Sequence, residues 1–212
     1  MKITKLTFNM FGVNTYIVYD ESTKECAIID PGMMNNSENN IFNEFIEREQ
    51  LKPIHLINTH LHIDHVLGNE YVSKTYGLTP YAHISDYFLG ERIEQQASMF
   101  GLQLKVENIR NIIELSEDTK IKIGTEELKV IHVPGHSPGS VVLYSKNDDF
   151  IVCGDVLFQQ SIGRTDLPGG DYSTLINGIR KKLLCLPDKT IVYPGHGPST
   201  TIKFEQENNP YL

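Results

Sequence analysis

The sequence predicts a mixed α/β chain in which two β-sheets pack face to face and helices cover their outer sides. Two observations carry this. Strand and helix patterns run through the chain twice in similar order, with the join near residues 101–118. A sheet needs both faces occupied, so two sheets packed together beneath outer helices would bury such a doubled pattern. The second observation is size and composition. A chain of 212 residues with 40% hydrophobic and 22% charged residues suits one folded domain over 1–212 with a sizeable core.

The elements follow in order. Asn14 to Tyr19 and Cys26 to Ile29 are β-rich runs, closed by the turn signal Asp30-Pro31-Gly32. From Ser37 to Gln50, Ile41, Phe42, Phe45 and Ile46 fall at helical spacing. Ile54 to Asn58 reads as a short buried strand. Asn69 to Tyr76 and Ser85 to Phe100 read as helices stopped by Gly77 and Gly101. The second half supplies strands at Ile121–Ile123, Leu128–Val133, Val141–Tyr144 and Phe150–Cys153. A helix follows over Ser173–Cys185, then a strand at Ile191–Tyr193 and a weak helix over Thr200–Asn208.

The bulk properties exclude several classes. Lys and Arg number 19 against 27 Asp and Glu, a net charge of −8, which argues against a nucleic-acid binder. No run of about 18 apolar residues marks a membrane helix. Residues Met1 to Asn9 lack the apolar core of a signal peptide. Cys26, Cys153 and Cys185 are odd in number and widely spaced, so no disulfide framework is expected and a cytoplasmic location fits.

The chemistry gathers at four places, each just beyond a strand. Thr59-His60-Leu61-His62-Ile63-Asp64-His65 follows the first. In an extended segment His60 and His62 share one side, and the turn before the next helix would bring Asp64 and His65 back toward them. His136 lies in the tight turn Pro134-Gly135-His136-Ser137-Pro138-Gly139, Asp155 in Cys153-Gly154-Asp155, and His196 in Pro194-Gly195-His196-Gly197. Any one of these could be an ordinary turn or cap residue; their joint placement is not ordinary. His60, His62 and His136 could hold one metal, and Asp64, His65 and His196 a second, with Asp155 shared. Imidazole and carboxylate together suit zinc first, with iron or manganese as alternatives.

The ordered set from 59–65 through His136, Asp155 and His196 resembles the metallo-β-lactamase superfamily over nearly the whole chain. That resemblance implies a four-layer αββα sandwich and two divalent metal ions. Gly154-Asp155-Val156-Leu157-Phe158 and Ser161-Ile162-Gly163-Arg164-Thr165-Asp166-Leu167-Pro168-Gly169-Gly170-Asp171 resemble the short bacterial glyoxalase II-like hydrolases. The implied activity is thioester hydrolysis, with S-lactoylglutathione as the model substrate. The longer glyoxalase II enzymes carry a helical C-terminal extension, whereas about 16 residues follow His196 here. They also place tyrosines where this chain has Asp166 and Pro198, so weaker glutathione recognition is expected.

A metal-bound water has a pKa near 7, so a hydroxide bridging the two ions would attack the acyl carbon without a side-chain nucleophile. Asp64 would ligate and also orient that hydroxide, and Arg164 would bind an anionic group of the substrate or, as a comparable alternative, form a surface salt bridge. Cys153 reads as a buried packing residue, and His55, His83 and His132 as scaffold or surface. The alternatives are an iron persulfide dioxygenase using one metal, a lactonase, and a non-enzymatic interaction module; a full ligand set argues against the last. A strict metallo-β-lactamase fits less well, because its best-known types lack the aspartate at 155. Oligomeric state is not legible.

Overall fold

An antiparallel meander opens the chain: β1 (Lys2–Phe8), β2 (Val13–Tyr19) and β3 (Glu25–Ile29). The computed structural model describes residues 1–103 and 106–212. Helix α1 (Asn36–Arg48) then crosses to β4 (Lys52–Ile57), parallel to β3. Helix α2 (Asn69–Tyr76), β5 (Pro80–Ala82), α3 (Tyr87–Gly90), α4 (Ile93–Met99) and β6 (Ile113–Glu114) complete a six-stranded sheet in sequential order.

The second sheet starts with the antiparallel run β7 (Lys120–Ile123), β8 (Glu126–His132), β9 (Val141–Ser145) and β10 (Phe150–Gly154). A small hairpin, β11 (Leu157–Phe158) with β12 (Ser161–Ile162), leads to α5 (Tyr172–Gly178). Strand β13 (Ile191–Pro194) returns parallel to β10, followed by β14 (Thr200–Thr201) and α6 (Ile202–Asn208).

The four layers can be read from side-chain alternation. Along β2, Tyr16 and Val18 enter the core between the sheets, while Ile17 and Tyr19 enter the core beneath α1 and α2. Along β9, Val141 and Leu143 face the first sheet, while Val142 and Tyr144 pack with Leu175 and Ile179 on the outer side. Strands covered on both faces read as near-continuous apolar runs, as β2, β9 and β10 do. The expected αββα sandwich is therefore present, and the two sheets change over between β6 and β7. Part of the expected join, Leu104 and Lys105, lies outside the described residues.

Local signals explain most element ends. Asn35 caps α1 by accepting the Glu38 N–H, and Phe42, Phe45 and Ile46 form its buried stripe. Gly77 ends α2 in the left-handed conformation.

Two helices depart from expectation. The single helix expected over Ser85–Phe100 is broken between Gly90 and Ile93. The groups freed at the break are taken by residues beyond α4: Gly90 O accepts the Ile109 N–H at 2.8 Å, and Asn108 Oδ1 accepts the Glu94 N–H at 3.0 Å. The helix expected over Ser173–Cys185 starts at Tyr172 and widens into a π-type turn over Ile179–Leu183, both of whose end residues are buried. Strands β1, β5, β6, β11 and β12 carried no strand assignment, and the final helix expected from Thr200 starts at Ile202, with Thr200–Thr201 pairing to Ile191 and Val192 as β14; four of these strands have only two residues, and pairing makes them strands.

Candidate metal centre

Four loops meet beyond the C-terminal ends of β4, β8, β10 and β13. They bring His60, His62, Asp64, His65, His136, Asp155 and His196 together at one end of the sandwich. Their ligand atoms form three overlapping groups: His60/His62/His136, His60/His65/Asp155, and Asp64/His65/His196. His62 Nδ1 lies 2.9 Å from His136 Nε2, which lies 3.2 Å from His60 Nε2. His196 Nε2 stands 3.0 Å from Asp64 Oδ2. Asp155 faces both sides, with Oδ1 at 3.3 Å from His65 Nε2 and Oδ2 at 3.6 Å from His196 Nε2 and 3.8 Å from His136 Nε2.

Imidazole orientation is set from behind. A carbonyl can only accept, so His136 Nδ1–H donates to Arg164 O at 2.8 Å and His196 Nδ1–H to Phe11 O at 3.1 Å. His65 Nδ1–H donates to Asp30 Oδ2 at 3.0 Å. The Thr59 hydroxyl proton goes to Asp30 Oδ2 at 2.6 Å, which leaves Thr59 Oγ1 to accept from His60 Nδ1 at 3.2 Å. In all four rings Nε2 therefore faces the centre, and in the neutral ring it carries the lone pair a metal ligand needs. His62 is the exception and presents Nδ1.

Buried His62 Nε2, His65 Nε2 and Asp155 Oδ1 have no hydrogen-bond partner. Buried polar atoms are normally paired. The orphans on His65 and Asp155, which face each other at the centre of a His and Asp donor set, fit a bound divalent cation.

The loop 59–65 hangs from three side chains by every second N–H. Thr59 N donates to Asp30 Oδ1 at 2.7 Å, Leu61 N to Asp86 Oδ2 at 3.1 Å, and Ile63 N to Gln96 Oε1 at 3.0 Å. Asp30 holds φ at 50°, a left-handed conformation unusual for a residue with a side chain, and its carboxylate is shared by Thr59 and His65. Asp86, fully buried, also accepts from Ser137 Oγ at 2.7 Å and Gly139 N at 2.6 Å, so one carboxylate ties the 59–65 loop to the 134–140 loop.

Glycine permits one close approach. A Cβ on Gly195 would stand 2.2 Å from Asp155 Oδ1 and 2.6 Å from His65 Cε1. That loop is clamped to the first sheet by Asn14 N to Gly195 O at 2.7 Å and Tyr16 OH to Pro194 O at 2.7 Å.

The electrostatics are divided. Burial, reinforced by the neighbouring imidazoles, pushes His60 far below the ordinary histidine value and His62 to about 3. Burial also opposes a charged His65, but Asp64, Asp155 and Asp30 outweigh it and hold that ring well above the ordinary value. His196 is raised against burial by Asp64 and Asp155. Burial would raise Asp155 and Asp64, yet the facing imidazoles bring both below the usual carboxylate range.

Other sequence expectations fall as follows. Arg164 borders the site, but its Nε and Nη2 grip both oxygens of Asp166 at 2.8 and 2.7 Å. Cys153 lies in the outer core, its thiol raised to about 12 by burial, with Sγ 3.2 Å from Leu157 O. His83 and His132 stack at 4.0 Å away from the centre, and His55 bonds Lys122 O. Sequence reasoning missed Asp30, Asp86 and Gln96. Asp30 carried a usable signal, a strand-end aspartate before Pro-Gly; Asp86 carried none.

The metallo-beta-lactamase superfamily model matches residues 9–196, and the chain belongs to that superfamily of metal-dependent hydrolases. It is 37% identical to the hydroxyacylglutathione hydrolase GloC of Haemophilus influenzae, across 100% of this chain and 98% of that protein. Among solved structures, BLEG-1 B3 metallo-beta-lactamase is 37% identical with a TM-score of 0.88, covering 100% of this chain and 99% of its own. TTHA1623 in a di-iron-bound form is 33% identical with a TM-score of 0.87, covering 99% and 100%. No helix among the described residues is long and apolar enough to cross a membrane.

Proposed function

We propose that the chain is a hydrolase of small-molecule thioesters, with S-lactoylglutathione as a model substrate, using two divalent metal ions. His60, His62, His136 and Asp155 would hold one ion, and Asp64, His65, His196 and Asp155 the other. The observation that carries this reading is the position of Asp155 between the two ligand groups: Oδ2 stands near both His136 of the first and His196 of the second, and Oδ1 faces His65 of the second. Zinc is the first choice, and iron is supported by the di-iron relative. When bound, the metals supply Lewis acidity that polarises the acyl carbonyl and acidifies water.

The chain's own residues do the rest. Asp64 borders the cavity and holds its carboxylate ionised, placed to accept a proton from the attacking water. The water oxygen bonds to the acyl carbon, the C–S bond breaks, and the sulfur leaves as a thiolate that takes up a proton. No protein nucleophile is required, in keeping with the buried, protonated Cys153.

The test is steady-state kinetics on metal-quantified protein with S-lactoylglutathione, a simple thioester, a lactone and glutathione persulfide. Thioester turnover that scales with metal content up to two ions per chain is the expected result. Oxygen consumption with persulfide, at one iron per chain and without thioester hydrolysis, would replace this reading with the dioxygenase one.

A further inference from the structure

Resting on the hydrolase reading, we propose that the non-reacting arm of the substrate is uncharged and apolar. Phe11, Met99 and Phe100 would select it, and the site would disfavour an anionic arm such as glutathione.

The cavity above the ligands has a volume of about 310 Å³. Above the ligands its apolar walls are Phe11, Leu89, Met99, Phe100, Leu167 and Pro168, with Gln96 and Arg164 as the polar lining. Phe11, from the β1–β2 turn, meets Phe100, at the end of α4, edge to face at 5.4 Å. Two distant parts of the chain thus form one aromatic wall. Met99 is 74% exposed and Phe100 51% exposed. Single exposed apolar residues are commonplace, but a cluster on the rim of a cavity marks a surface that binds something. Because the cluster borders the cavity, the substrate itself is the economical occupant.

Charge points the same way. Among the described residues lining the cavity, Arg164 is the sole Lys or Arg. Its guanidinium fork is matched by both oxygens of Asp166, and that pairing brings Asp166 down to about 2, so the acid stays charged at neutral pH. The pair presents no net charge. A glutathione arm carries two carboxylates and one ammonium, and its carboxylates would have to compete with Asp166 for an arginine already matched. An aliphatic or aromatic arm needs no cation, and it gains from each methylene removed from water.

The experiment compares thioesters of one acyl group on glutathione and on a neutral thiol, using metal-loaded protein. Calorimetric binding of an uncharged hexyl thioether is measured beside S-hexylglutathione. The neutral thioester is expected to have the higher kcat/KM, rising about fourfold per added methylene that the walls cover. Met99→Ala and Phe100→Ala, at exposed positions that leave the core intact, should lower that preference severalfold. Asp166→Asn frees Arg164 and should shift the ratio roughly two- to fivefold toward glutathione. A higher kcat/KM for the glutathione ester, unmoved by Phe100→Ala, would overturn the inference while leaving the hydrolase reading intact. If no thioester is hydrolysed, that reading falls, and tighter binding of S-hexylglutathione than of the neutral thioether would overturn the apolar arm separately.

Discussion

The floor and the mouth of the site are built on opposite terms. On the floor, His60, His65 and His136 are buried, and the N–H behind each ring is tied to a named acceptor. At the mouth, Met99 and Phe100 project into solvent. The floor is held by side-chain hydrogen bonds from Asp30, Asp86 and Gln96; the mouth is held by the packing of α4 and one aromatic edge contact. Reactivity thus rests on parts that cannot shift without breaking several bonds at once. Selectivity rests on parts that can change at little cost to the fold.

The largest effect is expected where the floor is most shared. Asp155→Ala should abolish binding of both metals and lower kcat/KM by roughly a thousandfold or more, because this one carboxylate stands near His136 of one ligand group and His65 and His196 of the other. Elemental analysis beside kinetics checks this. Full dinuclear loading of the variant would remove Asp155 as a bridge.

Gly195→Ala sharpens the contrast without touching a ligand. The added methyl has no room beside Asp155 and His65, so one or both must move by a large part of an ångström. Misplacement on that scale costs about a hundredfold in rate. Metal titration and kinetics together should show a weaker second site. Wild-type values would mean the floor is softer than its bonding suggests.

Asp86→Asn comes next. An amide can keep one acceptor but not all three partners, so the tie between the 59–65 and 134–140 loops loosens. Metal affinity should fall roughly 10- to 100-fold. Stability should fall by about 1–3 kcal/mol as a buried donor loses its partner. A loss of stability with unchanged metal affinity would make Asp86 a scaffold residue rather than a positioning one.

The contrast also explains what the sequence disclosed. The side chains that converge on the floor were legible because His and Asp at strand ends are rare enough to be counted, and the 59–65 run packs four of them into six residues. The layers were legible because fully covered strands such as β2 and β9 are apolar along their whole length. Asp86 was hidden inside a stretch that reads as helix, since its partners lie 25 and 51 residues away. The break after Gly90 was hidden for the same reason, as the groups that repair it come from residues 108 and 109. Phe11, Met99 and Phe100 drew no assignment to the site. Nothing local tells an aromatic residue that it will sit over a cavity. For Arg164 the sequence left a substrate anion and a salt bridge both open, and the structure shows the pair with Asp166 two residues on.

The smallest effect belongs to the residue nearest the floor that takes no part in it. Cys153 is two positions before Asp155, and a thiol there invites the idea of covalent catalysis. Strand alternation decides otherwise: Phe150 and Val152 face the inter-sheet core, whereas Ile151 and Cys153 face the outer core with Leu175 and Ile179. The thiol is fully buried, its pKa is raised to about 12, and its sulfur sits 3.2 Å from the Leu157 carbonyl. A thiol so protonated at neutral pH is a poor nucleophile. Cys153→Ala should therefore cost about 1 kcal/mol of stability, from the lost sulfur contacts and a small cavity, with kcat and metal content within about twofold of wild type. Denaturant unfolding and turnover measured on the same preparation check both halves. Loss of turnover with metal content retained would mean that the reacting group lies behind the floor, and the division between floor and mouth would have to be redrawn around the thiol.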